Sequence, residues 1–580
     1  MNSARNFSYD LFVNHPPPQD NGLLPNGEPR LFSPQVSRRF KLLIVSSLAA
    51  LCLTIAACSG STGGSGSTGG TSGVLVVVSP VGVPSLDSQN FGTASQEEVL
   101  TNVGEPLLRF KPLGQTTSQG IPVGSQTQFT GGACARFSLT AATFHCTLGH
   151  WVSPDGNSLT SADVKFTFEY LVAAKSQGFV AMQLAGISAT DPVTVISPSE
   201  LNINLINHNT TAEAALTYWS FDPLDATEVK KHATSSDPFA RHWLAGHTAM
   251  FGPYNVRSFT PDQEVDLVEN PHYVGRPTAQ VPRPSYPTVV YRAVPSDGTR
   301  AQLLCSGNAQ FAKAVNVNLY QPLKRCPSVT TYRFPYLAEP TLYFNLKHPP
   351  FDNENLRKAI SCAVNTHQIS QGVYDGQWAP ATSIITPKIP GEIGDFAICP
   401  TQNMAAAKSY LKASGYAGQT LPLYYSVGNS GQDAAENATL IQADLSQAGV
   451  KTSLQPVPDA TKYFTAAISG QYGMFVFLWG ANVPTAAWAL GAWFGPTSAL
   501  NGTGYATART AADLHALQTS ALDSAAQSAA AIDFQKQLLQ HAVIDPLIYM
   551  QNEIIVHRSV CGLRSDPDDF PFWQYLHPCR

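Results

Sequence analysis

Short continuous apolar runs alternate along the chain with longer segments whose apolar residues fall three or four apart, and this rhythm predicts its elements. Val74–Ser79 (VLVVVS) is a β-branched run that reads as a buried strand, and Phe91–Leu108 carries helical spacing. Gly114–Gly132 is polar, glycine-rich and irregular. Thr143–Trp151 reads as a strand, and Ser153-Pro154-Asp155-Gly156-Asn157 has the residue types of a tight turn. A helix opens after Thr160, a candidate N-cap with Asp163 as its box partner, and runs to about Ala174. Further strands are expected over Val193–Ile196, Glu200–Leu205, Gly252–Val256, Glu264–Glu269, Pro287–Val294, Tyr343–Leu346, Leu421–Val427, Val450–Pro456, Gly473–Trp479 and within Ile544–His557. Helices are expected over Asn353–Ala363, Met404–Ser414 (stopped by Gly415), Ala434–Ala448 (stopped by Gly449) and Ala511–His541. The alternation gives an α/β class with mixed sheets. No internal repeat of fixed period occurs.

One stretch breaks the pattern. Arg38, Arg39 and Lys41 precede an apolar run, Leu42–Ala57, which ends in Ile55-Ala56-Ala57-Cys58 and is followed by a Gly/Ser/Thr tract to Gly73. The run is too short to span a hydrocarbon core of about 30 Å comfortably, and it fits the h-region of a secretory signal. Ile-Ala-Ala-Cys resembles the lipobox of bacterial lipoproteins, in which the cysteine is lipidated and becomes the first mature residue. That resemblance implies a lipid anchor at Cys58 on the extracytoplasmic face of the cell membrane, with 58–73 as a tether of roughly 20 Å r.m.s. span. Residues 1–36 are Pro/Asn-rich and read as disordered, and 1–57 as disordered N-terminus plus signal peptide. Ser37-Arg38-Arg39-Phe40 matches a twin-arginine export pattern only in part, because Lys41 stands where that pattern has Phe.

Composition narrows the function classes. Charged residues are 13% of the chain, against about 25% in average soluble proteins. Net charge is −5 and there is no basic block, which argues against a nucleic-acid partner. Cys52 lies in the signal; beyond Cys58, eight cysteines remain: Cys134, Cys146, Cys305, Cys326, Cys362, Cys399, Cys561 and Cys579. An even number in an exported chain points to disulfides. Eight cysteines allow about 105 connectivities, of which sequential pairing is the simplest.

Chemical motifs are scarce. There is no GxSxG, HExxH, GxxxxGK[ST], CxxC or post-strand GxGxxG. His242 and His247 flank Trp243 at a spacing that does not share a helical face, and no metal or cofactor is expected from them. Asp222 and Asp225, and Asp566, Asp568 and Asp569, read as solvated acidic turns rather than a catalytic carboxylate pair. Trp378, Trp479, Trp488 and Trp493 lie near Gly and Pro, where aromatics line ligand clefts or pack a core.

Five segments in order carry a family resemblance: Val103–Pro112 (VGEPLLRFKP), Cys146–Tyr170 (CTLGHWVSPDGNSLTSADVKFTFEY), Phe251–Gly275 (FGPYNVRSFTPDQEVDLVENPHYVG), Leu342–Ile369 and Met404–Leu454. They resemble the bacterial extracellular solute-binding proteins of family 5, the dipeptide- and oligopeptide-binding receptors of ABC importers, from about Val74 to Gly562. The resemblance implies the two-lobed periplasmic-binding-protein fold (type II) with an extra subdomain. By analogy lobe I comprises 74–113, 215–300 and 545–580, the extra subdomain 114–214, and lobe II 301–544. It implies a monomeric, non-enzymatic receptor that closes on a peptide or peptide-like solute and delivers it to a membrane permease. The rival readings are an extracytoplasmic hydrolase and a ligand sensor or scaffold without transport. Ligand-contacting positions carried over are Thr93, Ala94, Ser95 and Gln96 from lobe I, and Trp479, Asn482 and Trp378 from lobe II. In peptide-binding members an acid follows the Trp-bearing strand and pairs with the ligand's amino group, whereas Asn482 stands at that place here. An Asn does not neutralise a buried ammonium. Either another acid serves, or the ligand lacks a free α-amino group; the substitution alone favours a neutral or blocked ligand.

Overall fold

The structure, a computed structural model, describes residues 73–579 apart from 91–92, 276–280, 315–318, 320–321, 388, 390–393, 431–432 and 569–570. The signal run, Cys58, the tether before Gly73 and Asp569 therefore lie outside the described residues.

Two sheets dominate. The first has seven strands in the order Val329–Pro335, Gln551–His557, Phe311–Ala314, Val74–Ser79, Thr288–Ala293, Glu264–Glu269 and Tyr254–Thr260. Val74–Ser79 sits inside it, parallel to Thr288–Ala293 and Phe311–Ala314. Its β-branched run follows from burial on both faces, with Leu75, Val77 and Val78 all in cores. Glu264–Glu269 alternates as its sequence asks: Val265 and Leu267 point inward, and Asp266 between them outward.

The second sheet has five strands: Thr452–Pro456, Leu421–Tyr425, Met474–Gly480, Ala338–Phe344 and Ile544–Pro546. Its first two pairings are parallel and its last two antiparallel, so it is mixed. A four-stranded antiparallel sheet, Cys134–Leu139, Thr143–Leu148, Glu200–Asn204 and Val193–Ser197, forms the extra layer. The chain crosses from the seven-stranded to the five-stranded sheet between Pro335 and Ala338, and returns between Pro546 and Gln551. These crossings differ from the expected boundaries at 300/301 and 544/545. Phe311–Ala314 and Val329–Pro335 belong to the first sheet, and Ile544–Pro546 completes the edge of the second.

Local signals explain most elements. The Ser161–Ala174 helix starts where Asp163 accepts from both the backbone N–H (2.8 Å) and the hydroxyl (2.7 Å) of Thr160. Met404–Ser414 ends on Gly415 at φ 69°, the left-handed cap that glycine favours. Three expectations need correction. Gly114–Gly132 is not irregular: Leu108–Thr116 and Pro122–Gly131 form a bulged hairpin, its turns supplied by the same glycines that obscured it. Ala511–His541 is two helices, Ala508–Thr519 and Ala525–Gln540, the second capped by Ser524. Asp222, Asp225 and Asp568 are buried, not solvated. Asp225 accepts from Ser153 Oγ (2.7 Å), Asn157 Nδ2 (2.9 Å) and Glu228 N (3.1 Å), tying the Ser153–Asn157 turn to the Ala226–Lys231 helix.

The four disulfides are sequential: Cys134–Cys146, Cys305–Cys326, Cys362–Cys399 and Cys561–Cys579. Each closes a local loop and limits the unfolded chain. The Glu354–Ala363 helix carries a further pin, the buried Arg357. Its guanidinium donates to the carbonyls of Phe351 (2.8 Å), Asp352 (3.2 Å), Ala542 (2.9 Å) and His541 (2.9 Å), fixing the end of the Ala525–Gln540 helix against the Glu354–Ala363 helix. Arg357→Met strands several buried carbonyls and is expected to lower stability by about 3 kcal/mol, read as an earlier urea midpoint; an unchanged midpoint contradicts this role.

Candidate ligand-binding site

The first helix of the described chain, Ala94–Val103 (α1), lies on the seven-stranded sheet. Thr93 caps it, accepting from Gln96 N at 3.3 Å. Ser95 Oγ donates to Gly82 O (2.6 Å) and Gln96 Nε2 to Asp87 O (2.9 Å), fastening the helix start to the preceding loop. Thr93, Ser95 and Gln96 thus hold α1 in place, and Ala94 is exposed at its first turn.

Next to them stand two residues that sequence reasoning did not single out. Glu97 and Glu98 are 7% and 3% exposed. They read as acids favourable to a helix N-terminus, and no sequence signal marks them as buried. Burial lifts each carboxyl to about 7, against the pull of the Lys313 ammonium and of one hydrogen-bond donor apiece. For Glu98 that donor is Tyr291 Oη, at 3.1 Å. For Glu97 it comes from the turn after the Met474–Gly480 strand: Asn482 Nδ2 donates to Glu97 Oε1 at 3.1 Å and to Tyr218 Oη at 2.9 Å. Burial first, then the neighbouring carboxylates, push the Tyr218 and Tyr291 hydroxyls well above their usual range, so both remain protonated.

Asn482 follows the Met474–Gly480 strand, in the turn that leads into the Ala486–Phe494 helix. That helix is buried on every side, as its all-round apolar sequence requires. Trp488 and Trp493 therefore sit in a core helix and not in loops, and Trp488 packs against Tyr218 with ring centroids 6.0 Å apart. Gly491 permits the close packing: a Cβ there would lie 2.7 Å from a Leu514 methyl and 2.9 Å from one of Leu184. Leu184 ends the Gln177–Leu184 helix, and this part of the chain reaches the same region through Thr210 Oγ1 to Ser520 O (2.6 Å) and Gln518 Nε2 to Leu184 O (3.1 Å).

The remaining expected positions fall elsewhere. Trp479 is fully buried, and its indole donates to Thr341 Oγ1 at 3.1 Å. It shares the sheet face of Tyr343, Phe475 and Phe477 with Glu339, whose carboxyl burial holds well above the carboxylate range. Trp378 is 0% exposed and stacks on Tyr374 at 4.4 Å. It belongs to the core on the opposite face, with Leu342, Phe344, Met474 and Val476, and is not brought to Asn482.

Residues 154–501, more than half of the chain, match the family model for the bacterial extracellular solute-binding proteins, family 5. The chain belongs to this family. The glutathione-binding protein GsiB of Shigella flexneri serotype 5b is 24% identical over 316 residues, which cover 53% of this chain and 57% of that relative. The match thus spans little more than half of its length. DppA of Helicobacter pylori, solved with the peptide STSA, superposes with a TM-score of 0.73 at 17% identity, covering 88% of this chain and 98% of that one. AgaA of A. tumefaciens R10, solved with agropinic acid, gives 0.73 at 18% identity over 88% and 99%. The two-lobed fold of these family 5 proteins is the fold of this chain. The matched residues include Tyr218 and Asn482, while Glu97 and Glu98 lie upstream of them.

The raised carboxyls set a sign. A carboxyl held near 7 in the folded chain contributes stability below its ordinary pKa of 4.5 and loses it as pH rises to about 7. Glu97→Gln, which mimics the protonated form, is expected to match the parent's thermal midpoint at pH 4.5 and to exceed it increasingly up to pH 7.5. A constant difference across that range would show that Glu97 is not held protonated by burial.

Proposed function

We propose that this chain is the lipid-anchored, extracytoplasmic substrate-binding component of an ABC importer, which captures a peptide or peptide-like solute between its lobes and delivers it to a membrane permease. The observation that carries this reading is the meeting of the lobes at Asn482: one side chain of the second lobe bridges Glu97 and Tyr218 of the first. A receptor that closes on its solute needs polar groups facing each other across the hinge-closed gap, and here they do so beside a Trp-bearing helix. The names of the relatives support a peptide or an amino-acid conjugate: glutathione for GsiB, the peptide STSA for DppA, agropinic acid for AgaA. Binding is the whole task in this reading, and no bond is made or broken. The short apolar run and Cys58 support the tether, and no described helix is long and apolar enough to cross a membrane.

Native mass spectrometry of protein from its own cells tests the reading: a peptide-class adduct that leaves on gentle activation is expected. A chain with no adduct and no thermal shift with peptides or amino-acid conjugates would overturn it. Cys58→Ala is expected to move the protein from the membrane to the soluble fraction; retention in the membrane would contradict the lipid anchor.

A further inference from the structure

The Met404–Ser414 and Asp433–Ala448 helices pack on the face of the five-stranded sheet that carries Leu342, Met474 and Val476, opposite the face of Trp479. Each stops on a glycine at positive φ, Gly415 at 69° and Gly449 at 96°, and an open groove of about 500 Å³ lies where they end. Leu411 and Tyr416 line it with apolar surface, and Lys408 and Lys412, four apart on one helical face, line it with charge. Lys451 stands at its rim. Its Nζ lies 4.0 Å from where a Cβ on Gly418 would be, and its backbone N–H donates to Tyr416 Oη at 3.0 Å. All three lysines are exposed, and none of their ammoniums has an ion pair or hydrogen bond among the described residues. The lining holds no acid, and neither 404–432 nor 445–458 contains an Asp or Glu. Acids on the neighbouring helices are engaged elsewhere: Asp444 accepts from Asn365 N (2.9 Å) and Gln402 Nε2 (3.4 Å), and Glu354 pairs with Lys358 and His541. The whole chain carries a net charge of −5, so this patch is opposite in sign to the molecule that bears it.

Like charges held together without a counter-charge favour an anionic partner. Fixed recognition of one carboxylate or phosphate uses the planar fork of arginine, whereas lysine is a point charge on a flexible stem. The groove holds lysines only. Such a set fits a surface of mobile anionic groups better than a single shaped ligand. We propose that this groove docks the chain against the anionic headgroups of the bilayer that holds its lipid anchor. The inference rests on the anchoring reading and adds to it a second contact and an orientation. One acyl anchor joined to a basic patch binds stably where either alone is marginal. Because the chain is otherwise net negative, the patch turns the outer face of the five-stranded sheet toward the bilayer and the Trp479 face away from it. Each lysine near such a surface strengthens binding roughly fivefold, and the attraction fades over a Debye length of about 8 Å at physiological salt.

The test uses the full chain purified from membranes and reconstituted on vesicles of phosphatidylcholine alone, or of equal parts phosphatidylcholine and phosphatidylglycerol. The rate of acetylation of each lysine is read by mass spectrometry. On the mixed vesicles Lys408, Lys412 and Lys451 are expected to react about fivefold more slowly than on phosphatidylcholine, while the exposed Lys175 keeps its rate. The slowing is expected to vanish in about 1 M salt, where the Debye length falls to about 3 Å. Lys408→Glu places an acid in the groove and is expected to return Lys412 and Lys451 to their phosphatidylcholine rates; the parent's own rates decide the case if this variant's thermal midpoint falls. Equal rates on the two vesicle types would overturn the inference and leave the anchor intact. Slowing by dissolved inorganic phosphate without vesicles would assign the groove to a small anion. Slowing in native membranes but not on the mixed vesicles would assign it to an acidic protein segment. Either result overturns the inference. A chain that stays with neither vesicle type would overturn the anchoring reading, and this inference with it.

Discussion

The contact from Asn482 to Glu97 and Tyr218 is the interaction on which the functional account depends, because it ties the turn after the Met474–Gly480 strand of the second sheet to α1, which lies on the first. Everything around it serves placement. Thr93, Ser95 and Gln96 fix the start of α1, so the Glu97 carboxyl is delivered by a helix and not by a loop. On the other side, the Met474–Gly480 strand and the buried Ala486–Phe494 helix clamp the short turn that carries Asn482 between them. A hydrogen bond between rigid elements loses little conformational entropy on forming, which is what makes a closing surface selective.

The electrostatics make the site responsive to what enters it. Glu97 and Glu98 are buried beside one lysine and two protonated tyrosines, and burial outweighs the lysine's pull on both carboxyls. Elsewhere the core varies: Asp225 takes three donors and Arg357 donates to four carbonyls, whereas both carboxyl oxygens of the buried Asp222 accept no hydrogen bond.

Much of the fold was legible in the residue pattern. Strands such as Glu264–Glu269 and helices such as Glu354–Ala363 and Met404–Ser414 follow from alternation, capping and a stopping glycine. The family assignment rested on ordered motifs within the same elements. Two kinds of feature stayed hidden. The hairpin of Leu108–Thr116 and Pro122–Gly131 uses polar, glycine-rich strands whose bulges erase the period-two signal. The membership of Phe311–Ala314 and Val329–Pro335 in the first sheet is a long-range pairing with Gln551–His557, which no local pattern encodes. The site was half legible. Asn482 stood out as a departure from the family's acid, but its partner lies 385 positions away in sequence. Glu97 and Glu98 look like ordinary first-turn acids, because burial is a tertiary property. The tryptophans misled in the opposite direction: Trp378 and Trp479 are core side chains whose neighbouring Gly and Pro only shape the turns beside them.

The most direct measurement is a crystal structure of the protein with a free-amine peptide bound. The account predicts ligand density between α1 and the turn that carries Asn482. A ligand bound elsewhere would contradict it.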